Sequence, residues 1–128
     1  MGNVRVKVCG ITNEEDLHMC VESGVDALGF VVEYPVEVPW NITREEAFEL
    51  IQRVPPFVTT VAVVGGEIDE ILAIADFTMP DVVQLHGDEP FHETSILVRE
   101  LKRRGIRVIK ALRISVDEDV KVEDTVEV

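Results

Sequence analysis

Apolar residues along the chain switch repeatedly between two spacings. Over residues 4–9 they alternate, with Val4, Val6 and Val8 on one face of an extended segment that ends at Cys9. After Gly10-Ile11, Thr12 opens Thr-Asn-Glu-Glu, which predicts a capping box with Glu15. Leu17, Cys20 and Val21 follow at helical spacing, up to a stop at Gly24. Residues 27–32 are apolar throughout, as expected of a strand buried on both faces. A Pro-containing loop covers residues 33–42, and Thr43 then sets up a second capping box with Glu46. Ala47, Leu50, Ile51 and Val54 mark one face of that helix, which Pro55-Pro56 cannot continue. Residues 59–64 form a third strand closed by Gly65-Gly66, and Ile68, Ile71, Leu72 and Ala75 outline a third helix. A fourth strand over 82–85 ends in His86-Gly87. The fourth helix, over about 90–104, turns Leu97, Val98 and Leu101 inward and stops at Gly105. The fifth strand is expected over 107–114. From Asp117 onward a fifth helix could begin, although the Val-rich alternation there speaks against it.

Five strand–helix units with short connections predict an α/β fold with a parallel sheet and right-handed crossovers. The 128 residues suit one domain. A complete eight-stranded α/β barrel needs about 200–250 residues, so the chain can hold a five-unit α/β domain or about half a barrel. Ligands of such folds sit at the carboxyl ends of the strands. That rule singles out Cys9, the loop after Val32, Gly65-Gly66, Gln84, His86 and Arg113.

Charge narrows the partners. The net charge of -13 disfavours nucleic acid and anionic lipid, so no nucleic-acid or membrane partner is expected. A small anionic substrate remains compatible, because a pocket can be locally positive. Much of the acid lies beyond Asp117 and reads as a solvated tail or helix surface. Apolar content of 46% with 29% charged residues reads as a soluble globular domain. The first residues run straight into a strand pattern without a signal peptide, and no apolar run is long enough to span a bilayer. Two cysteines at unrelated positions make neither a disulfide framework nor a metal cluster, which points to a reducing cytoplasm.

Cys9 carries the sharpest chemical signal. A thiol at the end of a strand and before a glycine faces the pocket and can act as base or nucleophile. The competing reading is a small buried hydrophobe. Cys20 falls on the core face of a helix and reads as packing; His18 beside it lacks the further ligands a zinc site needs. Gln84 and His86 alternate on one strand, share a face and can reach a ligand, though a strand-end His is as often a turn residue. Gly65-Gly66 could wrap a phosphate through backbone N–H groups but is more often a turn. Lys110 sits inside an apolar strand, where a buried charge must be paired. It could meet a substrate anion in the pocket or pair with a carboxylate inside a barrel.

Val6-Lys7-Val8-Cys9-Gly10-Ile11-Thr12 resembles the first strand of the phosphoribosylanthranilate isomerase family, where K-[VI]-C-G-I-T is characteristic. Four further segments match in order. Ala27-Leu28-Gly29-Phe30-Val31 is similar to the second strand, and Pro55-Pro56-Phe57-Val58 to the approach to the third. Val83-Gln84-Leu85-His86-Gly87-Asp88-Glu89 and Val108-Ile109-Lys110-Ala111 are similar to the fourth and fifth.

The resemblance implies a partial (βα)8 TIM barrel, a single incomplete domain over 1–128 with strands one to five. It implies a cofactor-free Amadori rearrangement of N-(5'-phosphoribosyl)anthranilate to 1-(2-carboxyphenylamino)-1-deoxyribulose 5-phosphate in tryptophan biosynthesis. Cys9 matches the family's base, and Gln84, His86 and Arg113 are the expected substrate-binding residues. The family's general acid is an aspartate ending the sixth strand, and its phosphate loops follow strands seven and eight; these 128 residues carry neither. The loop after the second strand, where many members have an Arg, holds none before Arg44; Trp40 is a candidate to stack on the aryl ring instead. The expectation is therefore activity impaired or dependent on a missing C-terminal part. The alternative is a non-catalytic fragment that forms homo-oligomers or pairs with a complementary C-terminal chain. A flavodoxin-like receiver is the structural competitor, but its first and third strands would need terminal carboxylates where Cys9-Gly10 and Val64-Gly65 stand.

Overall fold

The computed structural model describes residues 3–114. Every strand pair in it is parallel. In chain order the elements are β1 (Lys7–Cys9), α1 (Glu14–Glu22), β2 (Ala27–Val32), β3 (Asn41–Ile42), α2 (Arg44–Gln52), β4 (Thr59–Val64), α3 (Ile68–Thr78), β5 (Val82–Leu85), α4 (Phe91–Arg103) and β6 (Arg107–Lys110). The sheet runs β1-β2-β4-β5-β6, with the two-residue β3 off this path on β2. Each main strand thus lies beside the next one in sequence. A flavodoxin-like sheet would instead place its first strand inside the order.

The helices share one face. Leu17, Leu50, Ile51, Ile71, Ile74, Leu97 and Leu101 pack with Leu28, Phe30, Val32, Val64, Val83 and Leu85 in a single buried cluster. The other face carries a smaller cluster of Val31, Val61, Val63 and Val82, with Tyr34 and Val38 against it. A parallel sheet with neighbouring strands in sequence order and helices on one side is the layout of a barrel wall rather than of a doubly wound sheet. Among the described residues β1 and β6 each pair on one side only, so this wall is open.

Local chemistry explains most boundaries. The Thr43–Glu46 capping box forms as expected: the Thr43 hydroxyl accepts from Glu46 N at 3.1 Å, and Thr43 N donates to the Glu46 carboxylate at 3.4 Å. The first cap differs from expectation. Asn13, not Thr12, is the N-cap of α1, its side-chain oxygen accepting from Asp16 N at 2.7 Å. Asn is the stronger cap of the two adjacent candidates.

Two strands are shorter than their apolar runs. Val4 and Val6 stand exposed, because β2 offers pairing partners only from Lys7↔Ala27 onward. β6 stops at Lys110 instead of continuing to residue 114; its partner β5 ends at Leu85, and the Ala111 N to Leu85 O bond closes the ladder. β3 arises inside the segment expected to be wholly loop. The acidic stretch from Asp117 lies outside the described residues.

Candidate active site

Register decides which side chains look into the concave face. Cys9 pairs with Gly29, Gly29 with Val61, Val63 with Gln84 and Gln84 with Ile109. Side chains alternate along a strand, so Lys7, Cys9, Gly29, Val31, Val63 and Gln84 share the face away from the helices. Cys9, exposed at the carboxyl end of β1, opens onto a shallow cavity of about 400 Å³ with Gly10 and Trp40. An adjoining cavity of about 480 Å³ is lined by Cys9 and Trp40 together with Gln84, His86 and Arg113. Cys9, Gln84, His86 and Arg113, the catalytic and substrate-binding candidates from the sequence, thus line one cavity at the strand ends, and Trp40 joins them.

Small residues make this arrangement possible. A β-carbon on Gly29 would lie 3.0 Å from the Cys9 sulfur and 3.0 Å from Lys7 Cε, so only a bare backbone lets both side chains cross it. Lys7 reaches over the sheet to donate its ammonium proton to Gln84 Oε1. The cation is therefore bound to Gln84, a residue of the cavity wall, without lining the cavity itself.

Tyr34 was not among the residues picked out from the sequence, since a lone loop aromatic breaks no periodicity. Its backbone is gripped by the Asn41 side chain, which accepts from Tyr34 N at 2.9 Å and donates to Tyr34 O at 2.8 Å. The Tyr34 hydroxyl donates to His86 O at 3.2 Å, and its ring meets the His86 ring edge-on at 5.8 Å. Arg113 Nη2 donates to the Tyr34 oxygen at 3.2 Å and to His86 O at 3.1 Å. His86 Nδ1 is buried with no hydrogen-bond partner among the described residues. Gly65 underlies the Tyr34 ring, where a β-carbon would come within 2.6 Å of Cε2, and neither Gly65 nor Gly66 lines the cavity that holds Cys9 and Arg113.

Other candidates lie away from the cavity. Cys20 packs half-buried against the helix-side core, and exposed His18 bonds Glu14 at 3.3 Å. Lys110 shares the helix-side face with Leu85 and bonds Glu89 Oε2 and Gly87 O, each at 2.7 Å. It pairs with a carboxylate as the second reading of it required, but outside the concave face. At the base of the Tyr34 loop, the Glu33 carboxylate accepts from the Arg44 backbone N and from Nε and Nη2 of its guanidinium, at 2.8–3.0 Å. Those hydrogen bonds hold the Glu33 carboxyl below the usual glutamate range. Among the described residues no three His, Cys, Asp or Glu side chains gather as a metal site. None of the helices described is long and apolar enough to cross a membrane.

A one-sided parallel α/β wall with its cavity at the strand carboxyl ends defines part of a (βα)8, or TIM, barrel. The profile of the N-(5'-phosphoribosyl)anthranilate (PRA) isomerases matches residues 6–128, and the chain belongs to that family. The N-(5'-phosphoribosyl)anthranilate isomerase of Thermotoga petrophila is 45% identical over 119 residues, 92% of this chain and 55% of the relative. That of Methanothrix thermoacetophila is 40% identical over 120 residues, again 92% and 55%. A crystal structure of a phosphoribosyl anthranilate isomerase in complex with reduced 1-(o-carboxyphenylamino)-1-deoxyribulose 5-phosphate aligns with TM-score 0.77 and 39% identity, covering 97% of this chain and 58% of that one. The enzyme from Thermotoga maritima aligns at 0.76, 39%, 97% and 55%. The chain thus spans about half the length of the relatives it matches.

Proposed function

We propose that this polypeptide supplies the base half of an isomerase active site that converts N-(5'-phosphoribosyl)anthranilate to 1-(2-carboxyphenylamino)-1-deoxyribulose 5-phosphate. The observation that carries the reading is the exposed Cys9 thiol at the end of β1, on one cavity with Gln84, His86 and Arg113. In this reaction an acid protonates the furanose oxygen and the ring opens to a Schiff base. A base then removes the C2' proton, and the enolamine relaxes to the ketone. Cys9 is the base in this reading, and a thiolate suits the step because proton transfer is efficient when acid and base strengths sit near the operating pH. Gln84, His86 and Arg113 orient the substrate. The acid and the phosphate contacts are assigned to strands six to eight of a complete barrel, as the family resemblance implies.

The test is turnover of phosphoribosylanthranilate by the chain alone and mixed with the C-terminal half of a relative, each with Cys9 and with Cys9→Ala. A positioned general base contributes about 10²–10⁴-fold, so Cys9→Ala should lower the rate by that order. Equal rates would remove Cys9 from the role.

The open wall favours a second reading, in which the chain acts as a non-catalytic partner through its edges. β1 and β6 each leave one side without a described strand partner, and such edges invite pairing with another chain. One T. maritima relative has been solved as monomers generated from a dimeric enzyme. Sizing with light scattering beside the turnover assay tests this: self-association, or capture of a complementary half-barrel without turnover, supports it, and a monodisperse monomer that ignores the complement refutes it.

A further inference from the structure

The substrate assigned above has three recognisable parts: a sugar, a phosphate and an aryl ring bearing a carboxylate. The cavity sorts them. Cys9 marks the sugar carbon, and Trp40, Val31, Val36, Val38 and Val63 give an apolar lining suited to an aromatic ring. Arg113 is the one cationic side chain among the described residues that line this cavity. Its Nη2 is anchored on two oxygens, Tyr34 Oη at 3.2 Å and His86 O at 3.1 Å. Its only carboxylate neighbour among the described residues is Asp88 at 3.4 Å, whose side chain is 83% exposed. An ion pair that wet is worth little, so the guanidinium keeps its capacity for a second anion. Lys7, the other nearby cation, is committed to Gln84 and does not line the cavity.

The geometry points to Arg113 as the residue that binds the arylcarboxylate, with Tyr34 as the positioning residue that holds it there. This rests on the isomerase reading. Three constraints converge on the Tyr34 hydroxyl: Asn41 fixes its backbone, Gly65 makes room for its ring, and His86 O accepts its hydrogen bond. A planar fork held at one nitrogen loses little further freedom on meeting a planar carboxylate.

The test needs no turnover, so it fails or succeeds independently of the isomerase assay. Trp40 is the chain's single tryptophan and lines the cavity, so its emission reports occupancy directly. The full chain is titrated with anthranilate, with aniline and with inorganic phosphate. Anthranilate is expected to bind about tenfold or more tighter than aniline, as a charged hydrogen-bonded contact would give. Arg113→Gln abolishes that discrimination, Arg113→Lys restores part of it, and Tyr34→Phe weakens anthranilate severalfold without changing aniline. Four results would overturn the assignment: no Trp40 response to anthranilate, equal anthranilate affinity in wild type and Arg113→Gln, loss of discrimination on Lys7→Met instead, or an Arg113-dependent response to phosphate but not to anthranilate.

Discussion

The ammonium of Lys110 lies 2.7 Å from the carboxylate of Glu89, in a pair whose side chains are only 17% and 3% exposed. Lys110 also donates to Gly87 O at 2.7 Å, so one cation ties β6 to the turn that follows Gln84 and His86. The two ends of the pair are unequal. Removing Lys110 leaves a buried carboxylate whose Oε1 already lacks a partner among the described residues, whereas removing the Glu89 charge leaves an ammonium that keeps its carbonyl. Lys110→Met should therefore cost about 3 kcal/mol, and Glu89→Gln about 1–2 kcal/mol. The double variant should recover part of the Lys110→Met loss. Urea unfolding of the four proteins checks this; equal costs for the two single variants would contradict the asymmetry.

Gly29 should be intolerant of any side chain, because its β-carbon would press on the Cys9 sulfur and on Lys7 at once. Gly29→Ala is expected to destabilise the chain by about 1–3 kcal/mol and to change the rate at which Cys9 reacts with a thiol reagent. In the unaltered chain exposed Cys9 should label first and half-buried Cys20 later. A Gly29→Ala protein with an unchanged fast phase would mean that the sulfur does not depend on the bare backbone.

A different contact is at stake at Gly65, whose own β-carbon would run into the Tyr34 ring. The ring cannot swing away without giving up its bonds to His86 O and Arg113. Gly65→Ala should thus mimic Tyr34→Phe in weakening anthranilate, whereas Gly66→Ala has open space and only its φ of +100° to contend with. Trp40 titration of both variants distinguishes them: loss of anthranilate affinity in Gly66→Ala alone would place the constraint in the turn rather than in the ring.

The alternation of strands and helices was legible because it is written in side chains that the wall must bury. β2 and β4 are apolar on both faces, and the helix stripes of Leu17, Leu50, Ile71 and Leu97 meet them. Gln84 and His86 were legible as a cavity-facing pair because strand alternation alone places them together. The partners of loop residues were not. Nothing in the spacing of Tyr34 and Arg113 announces a contact 79 residues apart, nor that of Lys110 and Glu89 one 21 residues apart. Such contacts depend on how far each strand runs before its neighbour stops, and Leu85 decides that for β6. The sequence also shows why Lys110 needed a partner, but not which face it would seek it on.

Caps test the same boundary at finer scale. Asn13 is the residue that satisfies Asp16 N, so Asn13→Ala should cost about 1 kcal/mol, whereas Thr12→Ala should be near neutral. Thermal or denaturant unfolding of the two variants decides between them. A larger loss at Thr12 would restore the cap expected from Thr-Asn-Glu-Glu.

Glu33 links the base of the Tyr34 loop to α2 and gives the chain an acid-sensitive joint. Its backbone is left-handed, at φ 44°, and its carboxylate takes three hydrogen bonds from Arg44. Those bonds lower its folded-state pKa, while in the unfolded chain the ordinary glutamate value applies. The stabilisation is therefore complete above the ordinary glutamate range and is lost as pH falls through the lowered folded value. Both side chains are about one-third exposed or less, so solvent screens the pair only in part. Glu33→Gln should accordingly cost about 1 kcal/mol at neutral pH, the scale of a partly exposed charged hydrogen bond. That difference should shrink as acid protonates Glu33 in the unaltered chain, and vanish once the folded form is protonated. Denaturant unfolding of the two proteins across a pH series measures the difference. A gap that stays constant, or widens toward acid, would show that the Arg44 contacts do not set the charge of Glu33.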